Sequence, residues 1–326
     1  MLLHILNEYN VDANLIINGS PKTNILNNFP IYVINLKKDI YRRSYIKYLF
    51  KKWEINYTLV IVNKVTITDI NKWQIQQRFR HLGQLGCVLS HMWCLNNAIN
   101  SNYNKFIIFE DDIIFHKNFN DYIAKYLTYD LDLLMLGACD FELEDNIVNI
   151  NIDNDLYFPK VNALGAHANI YSLNFAKTLF DHKIKNDTII EFDKDYSIFY
   201  DSYKIGICYP NLVICELSTT NINHFFSPLK RQDHNYYIDK CFMGKINYNN
   251  YNCIILEAIK YIYENNILNK SKDYKEAIGF YIDKIRYNLN IKNIIEMLNS
   301  NDYTLDDLSE INSIIVKETE KLNIIK

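Results

Sequence analysis

Between residues 29 and 217 the chain alternates short apolar runs with longer stretches of helical periodicity, and that alternation is what most narrows its fold. The runs are FPIYVINL (29–36), NYTLVIV (56–62), NKFIIF (104–109), LDLLMLGAC (131–139), HANIYS (167–172), and the pair KIGICYP and LVICEL within 204–217. They are rich in β-branched and aromatic residues, the pattern of strands covered on both faces. Between them, KKDIYRRSYIKYLFKKW places Ile40, Tyr45, Tyr48 and Leu49 at helical spacing. Leu85, Val88, Leu89, Met92, Leu95 and Ile99 recur three and four apart behind the glycines of LGQLGC, and FAKTLFDHKI predicts a further helix. Strand, helix, strand repetition with short connections predicts an α/β sandwich.

From about residue 228 the pattern changes. YNCIILEAIKYIYENNIL, YKEAIGFYIDKIRYNL, IKNIIEMLN and LDDLSEINSIIVKETEKL read as amphipathic helices, with Thr304 an N-cap ahead of LDDL. The expected division is an N-terminal extension over 1–28, an α/β domain over 29–227 and a helical C-terminal domain over 228–326. The tail is expected to shape a binding site or to mediate dimerisation. No apolar run approaches the ~18 residues that span a bilayer. Glu8 and Asp12 interrupt the first apolar stretch, which has no basic lead or cleavage site, so neither a membrane span nor a signal peptide is expected. The charges, 35 basic against 38 acidic, exclude the basic excess of a nucleic-acid binder. The odd set of cysteines (87, 94, 139, 208, 215, 241, 253) in mostly apolar surroundings reads as buried thiols in a reducing, cytoplasmic compartment. Cys87, His91 and Cys94 share one side of a predicted helix, but no fourth zinc ligand lies nearby, and buried packing is the expected reading.

Three stretches carry chemistry. Glu110, Asp111 and Asp112 follow FIIF at the C-terminal end of a buried strand, the edge where open α/β sheets bind ligands. Adjacent carboxylates repel unless solvent, a metal or another cation compensates, and a hard divalent ion is an economical answer. Strand alternation predicts Glu110 and Asp112 on one side, sharing an ion, with Asp111 on the other, toward a nucleotide. Asn35 closes a buried strand ahead of Arg42 and Arg43, and arginine pairs well with phosphate. Gly83 and Gly86 open a helix carrying Ser90 and His91, where backbone N–H groups can meet an anion. Their spacing is neither a Walker loop nor GxGxxG, and GxSxG is missing, which disfavours a hydrolase triad. A phosphohydrolase of the Asp-x-Asp type is disfavoured because Ile113 stands two positions after Asp111.

Together, VINL with Arg42-Arg43, LGQLGCVLSH, KFIIFEDD, LGAHANIYS, FDKDYSIFY and CELSTTNI resemble family-25 glycosyltransferases, which include lipooligosaccharide and procollagen galactosyltransferases. The resemblance spans roughly residues 30–224. It implies a GT-A-like nucleotide-sugar domain with a mixed central sheet, followed here by the helical region. It also implies a UDP-sugar donor, a divalent metal (Mn2+, or Mg2+) and inversion at the anomeric carbon. The acceptor would be a hydroxyl of a glycan or hydroxylysine, and galactose is favoured over glucose or N-acetylglucosamine. Carried over by position, Glu110, Asp112 and a late His224 become metal ligands. Asn35, Arg42, Arg43, Gly86, Ser90, His91 and Asp111 become donor-binding residues. Asp193, with Glu191 or Asp195 beside it, becomes the base. Gly165 and Ser218 to Asn221 match further motif positions, whereas His167-Ala168-Asn169 departs from the family pattern. A non-catalytic glycan-binding or scaffold protein is the alternative. The Asn and Tyr richness resembles the output of an AT-rich genome such as that of a large DNA virus.

Overall fold

A computed structural model describes residues 1–75, 82–138, 156–161, 163–187 and 192–215. Its main sheet has eight strands: β1 (Val11–Ile16), β2 (Ile31–Leu36), β3 (Tyr57–Val62), β4 (Lys105–Glu110), β6 (Leu133–Met135), β7 (Leu156–Tyr157), β8 (Ala168–Ser172) and β9 (Ile205–Cys208). Their spatial order is β1-β3-β2-β4-β8-β6-β9-β7. Strands β3, β2 and β4 are mutually parallel, β8 runs antiparallel to both β4 and β6, and β9 is again parallel to β6. The sheet is therefore mixed, as expected. A second sheet pairs β5 (Ile113–Phe115) with β10 (Val213–Cys215).

The apolar runs are continuous because the sheet is covered twice. Tyr32, Ile34, Val60, Val62, Phe106 and Ile108 join one core, against α4 (Leu82–Asn100) and α6 (Leu173–Asn186). Their neighbours in sequence, Ile31, Val33, Leu59, Ile107 and Phe109, join the other, against α2 (Ile40–Lys52) and α5 (Phe119–Tyr126). Alternate residues thus serve opposite layers, the two-residue period of a strand. Helix α4 buries Leu85, Val88, Leu89, Met92 and Leu95, the face its spacing predicts. Helix α6 begins at Ser172, whose hydroxyl accepts from the Phe175 N–H, and stops at Asp187 in the left-handed conformation. In α2 the residues against the core include Ile46, Leu49 and Phe50.

The first 28 residues, expected as an extension, contribute to this sheet and core. Helix α1 (Leu2–Glu8) buries Leu2, Ile5 and Leu6 in the core shared with α4, and β1 pairs antiparallel with β3. β1 escaped the sequence reading because it is an edge strand with a mostly exposed burial pattern, so VDANLI shows neither an apolar run nor alternation. Within LVICEL, VIC forms β10 in the small sheet. A short helix, α3 (Ile67–Lys72), is closed by a Thr66/Asp69 capping box. The helical tail expected over 228–326 lies outside the described residues.

Phe106 is fully buried, edge-on to Tyr32 and stacked on Tyr171. Phe106→Ala should cost about 3–5 kcal/mol by the usual core-truncation scale, read as a lower urea midpoint. Leu15→Thr on the exposed face of β1, where Leu15 is 68% exposed, should change stability by less than about 0.5 kcal/mol.

Candidate active site

Strand β2 has β3 on one side and β4 on the other, so the chain reverses its direction of travel across the sheet between β2 and β4. That switch point opens a crevice at the carboxyl ends of the two strands. A cavity of about 110 Å3 lies there, lined by the ends of β2 and β3, by α2 and α4, and by Glu110 and the turn after it, while Asn35 is buried behind Asp111. That volume is below the ~300 Å3 of typical small-molecule pockets.

The acidic turn is neutralised by protein. Glu110 continues the even-numbered side of β4 toward α4, where its Oε1 lies 2.9 Å from His91 Nε2 and takes a longer hydrogen bond from the Cys87 thiol (3.6 Å). Asp111 points the other way, toward α2. Its Oδ1 accepts from Arg42 Nη1 at 2.9 Å and its Oδ2 from Asn35 Nδ2 at 2.6 Å. Asp112 does not return to the side of Glu110. The strand ends at Glu110, and in the following turn the two-residue alternation lapses, so Asp112 Oδ2 joins Asp111 at Arg42 Nη1 (3.3 Å). The compensation that an ion was expected to supply is thus divided between Arg42 and His91.

These partners set the local protonation. Burial, the largest influence, works to raise the Glu110 carboxyl, but the hydrogen bond and charge of His91, with His167 and the Cys87 thiol, together outweigh it and leave the group below its ordinary range. Burial pushes Asp111 up, against the pull of Arg42 and Asn35. Burial, and then the charge of Glu110, push the Cys87 thiol well up. Cys87, His91 and Glu110 each offer one ligand atom, and these three atoms lie within 4.8 Å of one another. The helix places Cys87 and His91 four residues apart on one face. Cys94 takes no part, being fully buried in the core.

The other expected donor residues divide. Gly86 and Ser90 line the cleft. The Ser90 hydroxyl lies 2.6 Å from the Gly86 carbonyl and 3.1 Å from the Tyr9 hydroxyl, so it braces α4 against α1. Arg43 donates to the Lys37 carbonyl at 2.7 Å and is not among the described residues that line the cleft. Lys38 and Lys64, which sequence reasoning missed, stand at the rim beside Arg42. Each follows the carboxyl end of a parallel strand, the signal that could have found them.

Asp193 opens a 3-10 helix (Asp193–Phe199), and its Oδ2 accepts the N–H of Gly165 at 2.7 Å. Gly165 has φ +153, and a Cβ there would stand 3.0 Å from the Gly137 carbonyl oxygen, so glycine is required for this approach. The preceding residue, Phe192, stacks on the His91 ring with centroids 4.5 Å apart, which ties this segment to the cleft. Asp195 instead faces the buried Lys183 at 2.9 Å. Glu191, Ser218 to Asn221 and His224 lie outside the described residues.

The sequence model of glycosyltransferase family 25 (LPS biosynthesis protein) matches residues 28–148. Every residue lining the cleft falls inside that match. No curated protein matches the chain. Among solved structures, a glycosyltransferase involved in glycosylation of the major capsid of PBCV-1 aligns at 11% identity and a TM-score of 0.35, over 59% of this chain and 94% of that one. A197 from STIV aligns at 14% identity and a TM-score of 0.31, over 60% of this chain and 98% of that one. Among the described residues no helix is long and apolar enough to cross a membrane.

Arg42 is the cation for a buried carboxylate, since Asp111 is only 6% exposed. Arg42→Ala should destabilise the protein by about 3 kcal/mol, as expected when one partner of a buried pair is removed. Arg42→Ala/Asp111→Asn should recover part of that loss in urea titrations, because the stranded charge is gone.

Proposed function

We propose that this chain is an inverting glycosyltransferase that moves a hexose from a UDP-sugar to a hydroxyl of a glycan or hydroxylysine acceptor, with galactose the favoured sugar. The observation that carries the reading is the coincidence of the family-25 match with the whole lining of the switch-point cleft.

In this reading the donor's diphosphate enters over the ends of β2 and β4. Arg42, held by Asp111, and the rim lysines Lys38 and Lys64 receive it, and fixed cations of this kind stabilise the charge that develops on the leaving group. Asn35 sets Asp111, and through it the arginine. The acceptor oxygen attacks C1 as the bond from C1 to the diphosphate oxygen breaks, and UDP departs. Asp193, the proposed base, takes the hydroxyl proton. Its bond to the Gly165 N–H fixes its orientation.

The metal expected from the resemblance, Mn2+ or Mg2+, would be held by Glu110 and Asp112 and would supply Lewis-acid stabilisation of the departing diphosphate. The oxygens fit such a hard ion poorly. Glu110 faces an imidazole and a thiol on α4, and Asp112 shares Arg42 with Asp111. Each step is therefore assigned to protein groups.

Incubation with a panel of UDP-sugars, with and without Mn2+ and with glycan and hydroxylysine-peptide acceptors, tests the proposal through UDP release and product mass. One donor should be turned over. Silence across the panel would overturn the reading in favour of a glycan-binding protein. Asp112→Ala tests the metal: loss of transfer with the circular dichroism spectrum unchanged would return that role to Asp112, whereas turnover kept in the variant is the outcome expected when Arg42 and the lysines carry the leaving group. Asp193→Asn should lower turnover by at least about 100-fold, the usual scale for a lost general base, with donor binding kept. Undiminished turnover in Asp193→Asn would move the base elsewhere.

A further inference from the structure

We infer that Cys87, His91 and Glu110 form a binding site for a thiophilic divalent cation of the zinc class. The site shares Glu110 with the oxygen-only set of Glu110 and Asp112 but replaces Asp112 by a thiol and an imidazole, and so selects a different metal. The donor set is one sulfur, one imidazole nitrogen and one carboxylate oxygen. Hard cations such as Mg2+ take oxygen ligands, whereas a thiolate with imidazole selects zinc and its neighbours.

The distances suit such an ion. With Zn–S about 2.3 Å, Zn–O about 2.1 Å and tetrahedral angles, the sulfur and oxygen ligands lie about 3.6 Å apart. Cys87 Sγ and Glu110 Oε1 are 3.6 Å apart. The same construction puts nitrogen and oxygen about 3.4 Å apart. His91 Nε2 and Glu110 Oε1 are 2.9 Å apart, so the ion would replace their hydrogen bond and part them slightly.

The ligands are also held from outside. Two come from one face of α4, a helix packed into the core, and the third from the last residue of β4. Phe192 stacked on His91 fixes the plane of the imidazole. All three residues line the cleft, so an ion can reach them from it. Two costs oppose binding. The Cys87 thiol, pushed up by burial and by Glu110, has to give up its proton to the medium as the ion arrives. A cation on Nε2 leaves the ring proton on Nδ1, a buried atom with no partner among the described residues.

The inference rests on ligand geometry and not on sugar transfer. A protein that binds zinc here yet turns over no donor would sink the functional proposal and leave this one standing.

Cobalt substitution of the chelator-stripped full chain tests it. Co2+ should bind with tetrahedral d–d absorption and a thiolate-to-cobalt charge-transfer band, and Zn2+ should displace it while Mg2+ does not. Cys87→Ser should lose the charge-transfer band and bind Zn2+ at least tenfold more weakly by calorimetry, while Cys215→Ser keeps both. A missing band in the wild type, or a band that survives in Cys87→Ser, would overturn the site. Should Cys87→Ser fail to fold, X-ray absorption of the zinc-loaded wild type decides. One sulfur among nitrogen and oxygen neighbours supports the site, and a shell with no sulfur or with several refutes it.

Discussion

A run of carboxylates at the end of a buried strand has to be neutralised where it stands, and the arrangement around the cleft follows from that. Glu110 and Asp111 are consecutive, so the strand's two-residue period sends them to opposite helical layers. Each layer then has to supply its own partner: α4 brings His91 and α2 brings Arg42. The acidic turn is in this way a pin through the sandwich, fixing both helices against the switch point of the sheet. An isolated ionised group in such surroundings costs several kcal/mol, enough to hold the register of the elements that relieve it.

The side of the cleft away from β2 is held by a second polar network. Asn169 on β8 donates to the Gly165 carbonyl at 2.8 Å and reaches the hydroxyls of Tyr171 and Tyr196, which lie 2.6 Å from each other. His167 meets the Val213 carbonyl through Nε2 and receives the Glu110 N–H at its own carbonyl. The polar residues of His167-Ala168-Asn169 therefore have a structural account: they hold the Gly165 turn that presents its N–H to Asp193. Buried Lys183 works on the same segment, paired with Asp195 and lying over the Phe192 ring that stacks on His91.

Much of this was legible in the sequence. The apolar runs became β2, β3, β4, β6, β8 and β9 because strands buried on both faces are marked by continuous hydrophobicity, and α4 showed its core face through spacing alone. β1, β5 and β7 were not legible. The first is an exposed edge, and the others are two or three residues long, too short for a periodic signal. At the site, the pairing of the acidic turn with the region of Asn35 and Arg42 could be anticipated from strand ends. The split of the turn could not, because it depends on the strand ending at Glu110. Nor could the role of Cys87. Its four-residue spacing to His91 was visible, but Glu110, the third member, comes from another element, and only the folded sheet brings it to the helix.

The charge in the cleft explains why a cation and an anionic donor would be linked. Among the described lining residues, three carboxylates (Glu110, Asp111, Asp112) face three fixed cations (Lys38, Arg42, Lys64). The fixed charges of this lining are thus equal in number. A diphosphate entering this space would upset that balance and compete with Asp111 and Asp112 for Arg42. A divalent cation on the α4 side, less the proton lost by Cys87, would offset part of that added charge and ease the turn of the arginine toward the phosphates. Close opposite charges strengthen one another in a partly buried site, so cation and donor should each tighten the binding of the other, a coupling that linkage makes reciprocal.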